Sequence, residues 1–369
     1  MANERVLNTF IELVKIDSES GDERKVADYL LEKLKSLGVE AYEDDTTAIT
    51  EHTAGNVYGR IKGNTEGKQT VLLNCHMDTV APGKNIQPII TDGVIHTDGS
   101  TILGADDKAG VAALLEVIEA LQEGNIKHGD VEFVICIGEE IGLYGAKAFD
   151  GDWLTADIGY ALDTGGTVGG MKTAAPGCGL IDVKITGISS HAGVAPEKGV
   201  SAITIGANAL AKLTFGRIDE ETTANVGTFK ADGPLNVVRD EAVIALEARS
   251  FDKEKLDSLL KEIETTFTTT AIEFGGTVEI ETEVSFPAFK LGDETAVVQV
   301  AKQAAKKIGR PSPTFSAGGG SDANIINGYG VPTVVLACGY EEIHTTNEKI
   351  PVEELEKLAE LTLAIVDCA

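Results

Sequence analysis

Apolar positions along the 369-residue chain fall into two rhythms. Within 22–37, Val26, Tyr29, Leu30, Leu34 and Leu37 recur at helical spacing. Ser20 and Glu23 form a capping-box pattern ahead of that helix, and Gly38 is placed to stop it. Residues 71–73 are a short all-apolar run, as in a strand buried on both faces. Val111, Leu114, Leu115, Ile118 and Leu121 make a second amphipathic helix that Gly124 ends, and 131–137 and 158–162 read as further buried strands. Helix and strand in alternation predict an α/β layer: a mostly parallel sheet with helices on both faces. Ligands of such sheets gather at the carboxyl ends of the strands.

The texture changes after the glycine-rich stretch Gly165-Gly166-Thr167-Val168-Gly169-Gly170. From about Cys178 to Phe286 the order reads strand, helix, strand, strand, helix, strand. Residues 242–249 alternate like a half-exposed strand, 253–267 form a charged amphipathic helix, and 277–284 alternate acidic with apolar residues. The α/β texture then resumes with a helix over 295–308, a strand over 333–337 and a last helix from Val352. The expected organisation is a discontinuous main domain, 1–177 and 288–369, interrupted by a smaller α+β domain at 178–287.

Composition narrows the function classes. The formal charge of −28, without a basic stripe, excludes a nucleic-acid binder and argues against anionic membranes. Hydrophobic residues make up 43% of the chain, enough for sizeable cores, yet no run is long enough to span a bilayer. The first residues lack the apolar core of a signal peptide. Five cysteines, Cys75, Cys136, Cys178, Cys338 and Cys368, are scattered without metal-type spacing and read as reduced thiols of a cytoplasmic protein. Cys75 adjoins His76, so on a strand it points to the opposite face and packs in the core.

The candidate chemistry lies where apolar runs stop. His76 and Asp78 close the first strand; two apart, they share a face, where the acid can hold the imidazole's second nitrogen. Asp106 and Asp107 precede a helix, where one aspartate is expected to cap it. Glu139 and Glu140 follow an apolar run, and adjacent carboxylates resist burial without a positive partner. Asp163 ends another strand, and His344 sits in a C-terminal loop. Alone, each has a plain reading as a strand end, a turn or a solvated loop. Together they form a series of imidazole and carboxylate donors on one side of a sheet, a set suited to zinc, cobalt or manganese.

The ordered motifs His76-Met77-Asp78-Thr79, Gly104-Ala105-Asp106-Asp107-Lys108-Ala109-Gly110, Glu139-Glu140-Ile141-Gly142, Ala161-Leu162-Asp163 and His344-Thr345 resemble the M20 family of co-catalytic metallopeptidases, in particular its peptidase T-like branch of tripeptide aminopeptidases. The resemblance covers nearly the whole chain and implies two divalent metal ions, zinc with cobalt or manganese as alternatives. It implies that Asp106 bridges them, that His76 and Asp163 complete one site, and that Glu140 and His344 complete the other. Asp78 would orient His76, and Glu139 would be the general base. Ser189-Ser190-His191-Ala192-Gly193 resembles the family's lid histidine segment, so His191 would help polarise the scissile carbonyl. Asn236, Arg249 and the segment Gly319, Gly320, Ser321, Asp322 resemble substrate contacts. Short peptides are the implied substrates, and a homodimer through the inserted lid domain is the implied assembly. The chain is shorter than typical peptidase T, so its cleft loops are expected to differ. Other expectations are an amidohydrolase or carboxypeptidase acting on N-acyl amino acids or dipeptides, and a non-catalytic metal-binding protein on the same fold.

Overall fold

A computed structural model describes residues 2–124 and 126–369. The chain divides into two units: Met1–Ala174 with Leu291–Ala317 and Ser321–Ala369, and Ala175–Lys290 with Gly318–Gly320. The first unit carries a mixed sheet in the order Ala41–Glu43, Val57–Ile61, Val131–Cys136, Val71–His76, Ile158–Thr164, Thr333–Ala337, Met171–Ala175. The strands from Val131–Cys136 to Thr333–Ala337 run parallel, and the Val57–Ile61 edge and Met171–Ala175 pair antiparallel to them. Val71–His76 therefore has parallel neighbours on both sides. The chain crosses to one of them through the helix Ala105–Gln122 and later returns to the other, which makes this strand the switch point of the sheet.

Alternation along these buried strands decides what each face meets. Leu73 and Cys75, Phe133 and Ile135, Tyr160 and Leu162, and Val334 and Leu336 enter one large core. That core includes side chains of the helices Ala2–Val14, Ala105–Gln122, Ala296–Lys307 and Val352–Cys368. Full burial of a Leu or Phe contributes about 1.5–3 kcal/mol, so this layer supplies much of the unit's stability. Residues of opposite parity, among them Asn74, His76 and Asp163, face the other way, and Asn74 meets Asp322 of the helix Asp322–Gly328. Helices thus cover both faces, as the alternating pattern predicts.

The helix expected over 22–37 is present as Arg24–Ser36, with Gly38 just beyond it at φ +75°. The expected capping box is not: Glu23 makes no side-chain cap. Its carboxylate accepts from Gly21 N and pairs with His52 Nδ1 at 2.8 Å, while Ser20 turns to Asp78. Tertiary partners have taken both side chains. The first helix, Ala2–Val14, and the antiparallel edge Ala41–Glu43 with Val57–Ile61 were not among the elements expected from the pattern.

The second unit has an antiparallel sheet in the order Gly216–Arg217, Thr222–Lys230, Glu241–Ser250, Gly177–Thr186, Thr277–Phe286. Ile181, Val183, Ile185, Ile244 and Leu246 pack with Leu260, Ile263 and Phe267 of the helix Lys253–Phe274 and with Ala202, Ile205 and Ala209 of the helix Ala202–Ala211. Leu180 and Val243, of the other parity, stay exposed. The order of elements is the predicted one with short strands added. Every cysteine is a free thiol. Among the described residues no helix is long and apolar enough to cross a membrane.

One glycine is demanded by close approach. A Cβ at Gly110 would meet Asp107 Oδ1 at 2.4 Å and the Leu162 carbonyl oxygen at 2.6 Å. Gly110→Ala should therefore destabilise the metal-free protein by about 1–3 kcal/mol, the usual range for overpacking, read as a lower urea midpoint at unchanged slope.

Candidate metal centre

The four adjacent parallel strands deliver the candidate residues at their carboxyl ends. His76 is the last residue of its strand, Gly138-Glu139-Glu140 follow Val131–Cys136, Asp163 lies near the end of Ile158–Thr164, and Tyr340 to His344 follow Thr333–Ala337. Asp106 enters from the turn that opens the helix Ala105–Gln122. Asp106 and Asp107 are not in helical conformation, so the regular helix begins at Lys108. Asp107 Oδ1 accepts from Gly110 N at 3.1 Å, which is the expected cap, and its other oxygen accepts from His76 N at 3.2 Å.

His76 is fully buried. Its Nδ1 lies 3.1 Å from the Asp78 carbonyl oxygen and 3.4 Å from Asp78 Oδ1. Across the ring, Nε2 lies 3.3 Å from Asp106 Oδ1 and 3.7 Å from Asp163 Oδ1. On the other side His344 Nε2 lies 2.9 Å from Glu140 Oε2 and 3.4 Å from Asp106 Oδ2. Asp106 therefore stands between two groups, with one oxygen toward His76 and the other toward His344. Donor atoms of His76, Asp106 and Glu140 all lie within 4.8 Å of one another.

Asp78 has a second task. Its carboxylate accepts from Glu139 N at 3.0 Å, Glu140 N at 3.3 Å and Ser20 Oγ at 2.7 Å, so it also fixes the backbone that presents both glutamates. Gly138 allows that turn: it sits at φ +57°, and a Cβ there would meet the His52 ring at 2.3 Å. Below the loop, Lys108 Nζ donates to Ser18 Oγ at 2.6 Å, and Ser18 Oγ donates to the Met77 carbonyl at 3.0 Å.

The charges are strained against one another. Burial pushes the Glu139 carboxyl well above the usual range, and Asp163 pushes it further. Burial likewise raises Asp163 and Glu140, with the Asp106 charge adding to both. Burial also opposes ionisation of Asp106, yet bonds from His344 and His76 hold its carboxyl below the usual range. His344 is raised to about 10 by its bonds to Asp106 and then Glu140. Glu140, with a side chain only 5% exposed, keeps Oε1 buried with no hydrogen-bond partner among the described residues. A buried orphan oxygen among like charges, facing imidazole nitrogens, is what a divalent cation would satisfy, and this donor set suits zinc, cobalt or manganese.

Other expected residues fall on the second unit. His191 is exposed on the short strand Ser190–His191, paired with Val237–Val238, and Asn236 O accepts from Ala192 N at 2.8 Å. Arg249 lies on the half-exposed face of Glu241–Ser250. Its Nε and Nη2 edge is bonded to Glu247 at 2.7 and 2.9 Å, Nη1 donates to Gly318 O at 2.9 Å, and the guanidinium lies 5.9 Å from the centre of the Phe286 ring. Gly319 and Gly320 belong to this unit, and a Cβ at Gly320 would meet Phe286 at 2.5 Å. Ser321, on the first unit, is buried at the start of Asp322–Gly328.

Three buried residues around the centre were missed from sequence: Tyr340, whose hydroxyl lies 3.3 Å from Asp106 Oδ1 and 3.4 Å from Asp163 Oδ1, Lys172 and Glu348. Burial pushes Asp322 up to about 7. Asp322, also buried, closes the segment Gly319-Gly320-Ser321-Asp322 that resembles a substrate contact, whereas Tyr340, Lys172 and Glu348 carried no local signal.

The family model described as Peptidase family M20/M25/M40 matches residues 72–367. The chain is 51% identical over 368 residues to the uncharacterized protein YqjE of Bacillus subtilis (strain 168), covering 100% of this chain and 99% of that one. The crystal structure of aminopeptidase PepT from Bacillus cereus ATCC 10987 is similar at 53% identity and a TM-score of 0.93, over 99% of this chain and 98% of that one. A tripeptidase structure from Staphylococcus aureus subsp. aureus Mu50 is similar at 45% identity, the same TM-score and the same coverage.

Asp78→Asn retains one acceptor and turns an amide NH2 toward a buried N–H. It should destabilise the metal-free protein by about 1–3 kcal/mol, the usual penalty for a buried donor left unpaired. Faster hydrogen exchange at the Glu139 and Glu140 amides should accompany the loss.

Proposed function

The chain belongs to peptidase family M20/M25/M40, and on that premise we propose that it is a two-metal aminopeptidase that removes the first residue of short peptides, tripeptides above all. The observation that carries this reading is the convergence of His76, Asp106, Glu140, Asp163 and His344 at the ends of four strands, with Glu139 beside them. The names borne by its relatives from B. cereus and S. aureus support the substrate class.

In this reading His76, Asp106 and Asp163 hold one ion and Asp106, Glu140 and His344 the other, with zinc the first candidate. When bound, the ions lower the pKa of an attacking water and polarise the scissile carbonyl. Glu139 takes the proton of that water and passes it to the leaving amine. Asp78 keeps Glu139 and Glu140 aimed and His76 in one tautomer. His191 stabilises the carbonyl oxygen as charge develops on it. Asn236, Arg249, Gly319, Gly320 and Ser321 hold the rest of the peptide. Because Glu247 occupies the Nε and Nη2 edge of Arg249 and Gly318 O accepts from Nη1, a substrate meets only the N–H groups these bonds leave over. A cytoplasmic location, suggested by the free thiols, and a homodimer through the second unit complete the proposal.

Glu139→Gln should reduce kcat by about 10²–10⁴-fold, the range for a lost general base, while elemental analysis still finds two ions per chain. Glu140→Gln should lower metal content and recover part of its activity in excess zinc. The opposite pattern would exchange their roles.

The end of the substrate that is read is tested with one tripeptide in three forms. The free peptide should be cut after its first residue. Acetylating the amine should reduce kcat/KM more than amidating the carboxylate, and both should reduce it. Preference for the N-acetylated form would replace the aminopeptidase reading with the amidohydrolase or carboxypeptidase one.

A further inference from the structure

Tyr340, His344 and Glu348 recur every four residues in a segment that is not helical, and all three reach Asp106. Tyr340 touches one carboxylate oxygen of Asp106, His344 faces the other, and Glu348 Oε1 accepts from the Asp106 backbone N at 3.0 Å. The second oxygen of Glu348 accepts from Leu103 N and Gly104 N, each at 2.8 Å. Gly104, at φ +72°, bends the chain where these amides converge. The segment is tied at its base, where Glu341 and Lys349 exchange backbone bonds of 2.9 and 3.1 Å.

Glu348 is 1% exposed. Burying a further carboxylate next to Asp106 adds repulsion to a crowded centre, so a core built for stability alone would not place it there. Both its oxygens are engaged by amides, which leaves it neither a ligand nor a base. A carboxylate is also the side chain whose two oxygens can accept three converging N–H donors together. We propose that Glu348 is a positioning residue: it locks the turn bearing Asp106 to the loop bearing His344 and sets the spacing of these two groups before any ion arrives. Ligands held in place in advance bind tighter than ligands that must be gathered, so Glu348 acts on metal affinity through Asp106 and His344. This rests on the reading of those two residues as metal ligands.

The test is Glu348→Gln, whose amide must turn an NH2 toward at least one of the three N–H donors. Metal-free wild-type and variant protein are titrated with zinc alone, and cobalt-loaded samples are compared by visible absorption. The wild type should take two ions. The variant should bind the weaker one about 10- to 100-fold less tightly, as expected when a partner of a ligand is lost, with an altered cobalt spectrum at saturation. A weaker-ion affinity within twofold of wild type and an unchanged spectrum, with only a lower melting temperature, would overturn the proposal. Wild-type protein that takes up no zinc would overturn the metal reading instead. A second measurement needs no variant. In metal-free wild type the amides of Leu103, Gly104 and Asp106 should be protected from hydrogen exchange; exchange at the rate of an open loop would refute a lock that precedes the metal.

Discussion

Asp78, Asp106, Asp107, Glu139, Glu140 and Asp163 are gathered at one end of four parallel strands, where Asp106 and Asp163 above all raise the cost of ionising their neighbours. The rest of the first unit can be understood as the means of holding them there. His76 and His344 face several of them, Lys108 and Lys172 lie buried within their field, and backbone amides of Asp106, Glu139 and Glu140 are held by Glu348 and Asp78. Burial pulls Lys108 down to about 8, even though Asp78 and Asp107 favour its charge. Such a centre is far more comfortable with divalent cations than without them, so metal binding and the stability of this end of the sheet are linked.

Rigid placement follows from the architecture. The donors stand at the ends of strands buried on both faces, which fixes their spacing through the ladder between strands. Asp106 and His344 are the exceptions, since both lie on turns. His344 has a left-handed backbone at φ +60°, and about half of its side chain is exposed. These two positions have the least support from secondary structure, and they are the ones that the segment from Tyr340 to Glu348 ties together.

The second unit is governed by a different economy of burial. Its sheet is covered on one face by two helices, and the alternation along Gly177–Thr186 leaves the other face wet. Arg249 and Glu247, two apart on one strand, share that wetter face and neutralise one another, while Phe286 offers the guanidinium an aromatic surface. Arg249 is held by this pairing rather than by a packed core.

Periodicity in the sequence determined the alternating elements, the parallel core and the interrupting α+β unit, because all-apolar runs and 3.6-residue stripes have few other ways to bury themselves. The donors at strand ends were legible for the same reason: a polar residue that closes an apolar run must lie at the rim of the sheet. Ser20 and Glu23 show where such reading stops. Their spacing satisfies a local capping rule, yet Asp78 and His52, far along the chain, bind them more strongly. Glu348, Tyr340 and Lys172 were illegible because their partners lie far away in sequence and no short-range pattern encodes them. Which carboxylate lies between the two histidines, and which carboxylate merely holds amides in place, was decided only when the tertiary fold brought separate strand ends within bonding distance.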